Sequence, residues 1–511
     1  MSPPMSRGPA APAPATQPPR LSRGAGTTLA EQLGLQFAQR IAQRVLPPGA
    51  RLPSVRDCAR RQGVSTATVV AAYDQLQAQG LIEARPQRGF FVRGRQLATP
   101  LPRAPAAGGP PPAPVDATAL IRSMFQNREG PASPGMGTLP EDWLDAGVLQ
   151  RALRQASSPA AAASWLRYGE PAGHLGLRQA LSRCLADTGI AASPAQIVTT
   201  LGATHALDIV SRTLLRPGDA VLVDEPGWAV EYARLTRMGL RLLPVPRGAE
   251  GPDLAAFDAL AREHAPRVYI TVSVLHNPTG ASLSPAAAHR VLQLAAQHGL
   301  LIVEDDTYAW LAPAHATRMA QLDALERTIY VSGFSKVLVP QWRIGFIAAS
   351  PALAERFVDT KLLATLTTPA VLEDAMARLL DKGTLRRHAE RVLQRLDGAR
   401  ERTARLVRDA GMHFAAAPQG LFGWVDVGAD TEQLAQPMFD EGWLIAPGSL
   451  FHATPRPTTL MRVNFAAGQD ARFWRCLCGL TRKRRGGPGS LPHRGVVSSA
   501  DGSAALTRAH N

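Results

Sequence analysis

Ser332-Gly-Phe-Ser-Lys-Val-Leu-Val-Pro-Gln-Trp-Arg343 follows directly on the apolar run Thr328-Ile-Tyr-Val331. That run has the length and β-branched content of a buried strand, and the glycine-containing segment after it reads as the loop at the strand's end. The chain has 52 arginines but only four lysines: Lys336, Lys361, Lys382 and Lys483. An amine condenses with an aldehyde and a guanidinium does not. A lysine kept in so arginine-biased a sequence, at a strand end, is therefore a candidate nucleophile. A solvated surface lysine fits poorly beside an apolar strand.

Outward from this loop, short apolar runs at Ala220–Val223, Arg267–Val274 and Leu300–Val303 alternate with helical patterns. From about Asp116 to Leu480 the pattern predicts an α/β domain with a largely parallel sheet. Asp305, in Val303-Glu-Asp-Asp-Thr-Tyr308, ends one such strand. Gly202-Ala203-Thr204 opens a helix whose first amides suit a phosphate. His276-Asn-Pro-Thr-Gly280 taken alone is a generic turn; with Lys336 and Asp305 it makes Asn277 a site candidate.

These segments, together with Glu225-Pro-Gly-Trp228, Tyr168-Gly-Glu-Pro-Ala-Gly173 before Leu177-Arg178, and Met461-Arg-Val-Asn-Phe465, resemble aminotransferases of fold type I over roughly 350 residues. The resemblance implies a large α/β domain, a smaller α+β domain and pyridoxal 5'-phosphate as cofactor. It makes Lys336 the Schiff-base lysine and Asp305 the group that keeps the pyridine nitrogen protonated. Tyr308 and Asn277 would donate to the ring's phenolic oxygen, and Trp228 would stack on the ring. Ala203, Thr204, Ser332 and Arg343 would hold the phosphate. Tyr168 would reach the neighbouring subunit's phosphate, so that the site is complete only in a homodimer, and Arg462 would pair with a substrate α-carboxylate. One departure stands out. Many relatives have Ser or Thr three residues before the lysine, where this chain has Gly333, with Ser332 one place earlier.

Ahead of this body lies a different pattern. Leu29, Leu33, Phe37, Ile41 and Val45 recur every four residues, predicting an amphipathic helix over Thr28–Val45. Further helices are expected at Ser54–Gln62 and Ser65–Gln79, then strands at Leu81–Ala84 and Gly89–Val92 around a Pro86–Arg88 turn. Helix, helix, turn, helix and hairpin make a winged helix-turn-helix. Arg51-Leu-Pro-Ser-Val-Arg56, Gly63-Val-Ser-Thr-Ala-Thr-Val69, Ala72-Tyr73 and Arg88-Gly-Phe-Phe-Val92 resemble the GntR family. Ser54, Arg56, Ser65, Thr66, Thr68, Arg88 and Gly89 are the implied DNA-binding residues, with Val55, Val64, Val69, Tyr73 and Leu76 as core. The family commonly has Arg where Thr66 stands. Head and body in this order resemble the MocR subgroup.

Charge follows the same division. Residues 1–95 hold 13 Arg and 4 acidic side chains, a balance of +9; residues 482–511 carry +5, leaving +1 for the remaining 386. A basic head on a near-neutral body is the footprint of a nucleic-acid-binding module attached to something else. The expected organisation is a leader at 1–24, the head at 25–93, a Pro/Ala/Gly-rich linker at 94–118, the body at 119–481 and a basic tail at 482–511. Leader and tail are expected to be disordered. No apolar run is long enough to span a membrane and no signal-peptide core is present, which points to the cytoplasm. Cys58, Cys184, Cys476 and Cys478 have no metal-ligand spacing, so no metal is expected. The implied function is a pyridoxal-phosphate-dependent transcription regulator that binds double-stranded operator DNA. It would sense a small amine, an amino acid or the cofactor, an incoming amine displacing Lys336 as an external aldimine. The alternative is a working aminotransferase that carries a DNA-binding head.

Overall fold

The computed structural model describes residues 28–42, 46, 49–85, 88–93, 133–158, 166–313 and 315–485. The expected leader and linker, residues 86–87 of the wing turn and most of the tail lie outside these residues.

The head forms because three short amphipathic helices share one apolar centre. Helices α1 (Leu29–Ala42), α2 (Val55–Gln62) and α3 (Thr66–Ala78) are followed by strands β1 (Ile82–Arg85) and β2 (Gly89–Val92), paired antiparallel with Arg85 opposite Gly89. Ser54 caps α2 through the Asp57 amide and Ser65 caps α3 through the Thr68 amide. Each such cap contributes about 1 kcal/mol. Gly63 closes α2 in the left-handed region (φ 64°), where a side chain would be strained. Tyr73 fills the centre. Its ring meets Phe37 and Phe90 edge-on at 5.6 and 5.0 Å, and its hydroxyl donates to Pro53 O at 2.9 Å. Val69, Tyr73 and Leu76 are buried, whereas Val55 and Val64 are only partly so.

The body's larger sheet has seven strands in the order β3-β9-β8-β7-β6-β4-β5. β4 (Ala220–Glu225), β5 (Arg241–Pro246), β6 (Val268–Thr271), β7 (Leu301–Asp305) and β8 (Thr328–Gly333) are parallel. β9 (Gly345–Ala348) runs antiparallel between β8 and β3 (Ile197–Thr200). The central strands are apolar on both sides because helices cover both faces. One face packs Val221, Val223 and Ile329 against Ala206, Leu207 and Phe357, and the other packs Leu222, Tyr269 and Ile302 against Phe257 and Leu294. The strand expected over 267–274 is shorter, since the Val272 amide turns away to the Asp224 carboxylate at 3.4 Å.

A smaller four-stranded antiparallel sheet, β10 (His413–Phe414), β11 (Phe422–Asp426), β13 (Leu460–Asn464) and β12 (Ala446–Pro447), packs against helices Thr384–Asp409, Thr431–Asp440 and Ala471–Arg485. The last helix runs four residues past the boundary expected at 481, because Arg and Lys extend a helix readily. Head and small domain touch. Arg40 pairs with Asp440 at 2.5 Å and lies over Phe439, and Arg61 stands 3.6 Å from the same carboxylate.

Candidate cofactor site and DNA-reading head

The parallel strands end side by side, and their carboxyl ends form the crevice where open α/β sheets take ligands. β7 and the residue after it deliver three consecutive acids with different fates. Glu304 accepts the Met319 and Ala320 amides at 2.8 Å each, and Asp306 pairs with Arg318 at 2.6 Å and Tyr330 at 2.8 Å. Asp305 is buried and takes hydrogen bonds from the amide (3.0 Å) and hydroxyl of Thr307, with no cationic partner among the described residues. Burial lifts its carboxyl to about 7 against the pull of those bonds, and repulsion from Glu231 adds to the rise.

β8 runs into the loop that carries Lys336. The amine donates to Gly137 O at 2.8 Å. Loss of hydration, with repulsion from Arg462, lowers its pKa to about 8 although Asp305 pulls the other way. Opposite, β13 supplies Arg462, which donates to Asn277 Oδ1 at 3.2 Å and to Gly135 O at 2.8 Å and lies 4.3 Å from the Phe422 ring centre. Its Nε is buried without a hydrogen-bond partner among the described residues. Tyr308 packs edge-on to Phe422 at 5.7 Å, and burial raises its hydroxyl pKa well above the ordinary value. Trp228 and Asp305 line one pocket. Lys336, Asp305, Asn277, Tyr308, Trp228 and Arg462, far apart in sequence, thus gather in one crevice.

The phosphate-suited corner is built by close backbone approach. Gly202 (φ 83°) precedes the helix Ala203–Leu214, and a Cβ there would stand 2.5 Å from Arg343 Nη2. Arg343, itself left-handed (φ 52°), therefore lies across the turn, donating to Leu201 O at 3.2 Å and Ser335 Oγ at 3.1 Å. The first-turn amides of Ala203 and Thr204 have no helical acceptor. Ser332 lies at the end of β8 beside this corner. Its hydroxyl donates to Asp306 O at 2.8 Å inside the sheet, so Ser335 is the hydroxyl beside Arg343. Tyr168 is not brought to this cluster by its own chain and stands 83% exposed.

Sequence reasoning missed several contributors. Gly135 and Gly137 act through backbone carbonyls on Arg462 and Lys336. A Cβ on Gly135 would lie 2.6 Å from Ile445 C, so the glycine-spaced Pro-Gly-Met-Gly run was the available signal. Lys361 is fully buried, 3.4 Å from Thr199 Oγ1 and 3.2 Å from Thr368 Oγ1, and feels the buried Glu373. Glu373 in turn accepts the His174 amide at 2.7 Å. Gly173 crosses this cluster with no room for a side chain, since a Cβ would sit 1.8 Å from Thr199 Oγ1. Lys361 thus helps fix the segment bearing Tyr168 against β3, the strand that leads into the phosphate-suited turn.

Residues 29–92 match the gntR family of bacterial regulatory proteins, and residues 135–477 match aminotransferase class I and II. The "Uncharacterized HTH-type transcriptional regulator YdcR" of Escherichia coli is 31% identical across 85% of this chain and 94% of its own length. The "Probable rhizopine catabolism regulatory protein MocR" of Rhizobium meliloti is 30% identical across 75% and 77%. The chain belongs to the MocR group of GntR regulators. Among solved structures, the α-aminoadipate aminotransferase LysN of Thermus thermophilus, complexed with N-(5'-phosphopyridoxyl)-L-leucine, is 25% identical, with a TM-score of 0.65 over 71% of this chain and 94% of that one.

In this MocR-type regulator the head exposes Arg56, Thr66, Arg88 and Gly89, with Thr68 half-buried. Ser54 and Ser65 lie at the starts of α2 and α3, where their hydroxyls already serve as caps. Arg51, absent from the sequence-based set, lies at the wing with Nε 3.6 Å from where a Gly89 Cβ would stand. Arg40 and Arg61 are turned to Asp440 instead. Among the described residues no helix is long and apolar enough to cross a membrane, and no group of three His, Cys, Asp or Glu side chains could hold a metal.

Proposed function

We propose that this regulator binds pyridoxal 5'-phosphate in the body and couples capture of a small amine or amino acid there to the grip of its heads on operator DNA. The observation that carries this is a buried carboxylate with no cationic partner among the described residues, Asp305, near a half-buried amine with a lowered pKa, Lys336. A pyridinium nitrogen supplies the charge Asp305 lacks, and a phosphate suits the turn spanned by Arg343 and Ser335. When bound, the cofactor supplies an aldehyde that condenses with amines. Lys336 would be the residue that holds it, and its amine would be the one that an incoming amine replaces. Arg462, whose Nη1 and Nη2 now rest on neutral oxygens, turns to the incoming carboxylate. Tyr308 and Asn277 would orient the ring, and Trp228 would cover it.

Tyr168, exposed in the single chain, completes the phosphate site of a second copy, so the working unit is a homodimer in the cytoplasm. Arg56 and the wing at Arg88–Gly89 contact phosphates, and Thr66 and Thr68 face the major groove. Switching requires the loaded pocket to favour one arrangement of heads over another. The test is titration of the cofactor-loaded protein with duplex from upstream of its own gene, with and without single amines. One amine should shift DNA affinity by about 5- to 150-fold. Unchanged affinity across amines that displace Lys336 refutes the coupling.

A second reading, turnover as a transaminase, is favoured by one fact: the Lys336, Asp305 and Arg462 constellation is intact. Steady conversion of an amino acid with a 2-oxo acid, unaffected by deletion of residues 1–95, would establish it.

A further inference from the structure

Away from the Lys336 crevice, the helices Ala146–Ala156, Ala370–Asp381 and Thr384–Asp409 border an open-sided cavity of about 350 Å³. The charged groups lining it are Arg151, Arg378, Lys382, Arg387 and Arg391, with Asp145 the one acid. Two of these cations are at least partly answered. Arg378 holds Asp374 at 3.0 and 3.1 Å, and Arg391 stands 3.7 Å from Asp145, whose carboxylate also caps Val148 N at 3.0 Å. The other three have no carboxylate partner among the described residues. Lys382 donates to Gln155 Oε1 at 2.9 Å, and Arg387 donates to Lys382 O at 3.1 Å and Thr384 Oγ1 at 3.4 Å. Both use neutral acceptors and keep their charge uncompensated.

Three unanswered cations, Arg151 and Arg387 on two helices and Lys382 at the C-cap of a third, converge on one concavity. Three exposed arginines nearby are each answered by a carboxylate, Arg183 by Asp381, Arg386 by Asp187 and Arg395 by Asp142. Like charges gathered in a concavity repel one another and focus a positive field that lowers when an anion enters. The volume lies at the small end of the range for small-molecule sites. A duplex would instead meet a linear track of cations spaced along its backbone.

We infer that this cavity binds a small phosphate-bearing anion, with Arg151, Lys382 and Arg387 as its cationic ligands, at a site separate from the cofactor's. The cavity and its cations carry the inference, and the start of the Thr384–Asp409 helix, with no acid in its first turn, adds a compatible field. The site also has a mechanical connection to the Lys336 loop. His388, next to Arg387, is buried and hydrogen-bonded to Val337 O at 2.8 Å.

The experiment is calorimetric titration of full-length protein with inorganic pyrophosphate at constant ionic strength, after saturation with pyridoxal 5'-phosphate so that the corner at Gly202–Thr204 does not compete. Three proteins are compared: wild type, Lys382→Gln/Arg387→Gln, and the control Arg386→Gln/Arg395→Gln, whose arginines pair outside the cavity. All four side chains are exposed, so a shared melting profile verifies that each variant folds. Wild type and control should bind one pyrophosphate per chain, and the cavity variant should bind at least about tenfold more weakly. Absence of saturable binding to wild type, equal affinity in all three, or an equal loss in the control overturns the site. If duplex DNA of unrelated sequence loses affinity for the cavity variant while pyrophosphate binds no protein, the cations serve a nucleic-acid backbone and the inference fails.

Discussion

Two of the four lysines are withdrawn from water in the same body, and they end in opposite roles. Lys336 and Lys361 each have a pKa lowered to about 8, each chiefly by loss of hydration. Around Lys361 the neighbours are two threonine hydroxyls and the field of a buried carboxylate, and no part of the residue reaches solvent. Around Lys336 they are a backbone carbonyl, Asp305 without a counter-ion and Arg462 with an unpartnered nitrogen, and part of the residue stays accessible. A perturbed amine is therefore not a site by itself. Access, together with neighbours whose hydrogen bonding is incomplete, separates chemistry from scaffolding.

The largest expected effect tests that separation directly. Lys336→Ala should abolish covalent capture of the cofactor, read as loss of the near-visible absorption band and of borohydride-fixed pyridoxyl label. The fold should persist, because among the described residues the lost amine makes one hydrogen bond, to Gly137 O. Labelling that survives in Lys336→Ala and moves to Lys361 would break the comparison.

Lys361→Met should do the reverse, keeping the label on Lys336 while lowering stability. Removing the ammonium leaves Glu373 buried without its balancing charge, at a cost of about 3 kcal/mol in denaturant titration. Lys361→Met/Glu373→Gln should recover most of it. A double variant as unstable as the single would mean that packing around the stem, and not charge, is what Lys361 contributes.

Much of the crevice was legible because its members are side chains whose chemistry is scarce: one lysine among arginines, one acid at a strand end, an Asn-Pro turn. The capping serines of the head were legible for the same local reason. What could not be read depends on direction or on distance in sequence. Whether Ser332 or Ser335 faces the phosphate corner is decided by the pairing of β8 beside β7, which turns Ser332 onto Asp306 O. Gly135 and Gly137 contribute carbonyls, which every residue possesses. Lys361 meets Thr199 across 162 positions, and Arg40 meets Asp440 across 400, so no local pattern announces either contact.

The two amines should also separate by pH. With Lys336 at about 8, the neutral amine that attacks the aldehyde rises from about a tenth at pH 7 to about nine-tenths at pH 9. Cofactor capture by the cofactor-free protein should therefore quicken by roughly tenfold over that span and then level off. An unperturbed lysine near 10.4 would keep climbing beyond pH 10. Lys361→Met should leave this profile where it is. A midpoint that moves with Lys361→Met would show that the two amines are electrostatically joined.

The smallest effect belongs to Thr368→Val, which removes one of the two hydroxyls on Lys361 and the 3.0 Å contact between Thr199 and Thr368. The cost should be about 1 kcal/mol, because Thr199 Oγ1 remains as an acceptor for the ammonium. Its sign with pH follows from linkage. A lysine whose folded pKa lies below its unfolded one binds its proton more readily when unfolded, so stability rises as pH climbs from the folded value, about 8, toward the unfolded one. Losing an acceptor disfavours the charged form further and widens that window downward. The deficit of Thr368→Val against wild type should therefore be full near pH 7 and shrink by pH 10, measured by denaturant titration at the two values. Lys336 labelling should not change at either pH. A deficit independent of pH would assign the loss to the Thr199–Thr368 contact alone and leave the ammonium without a share in it.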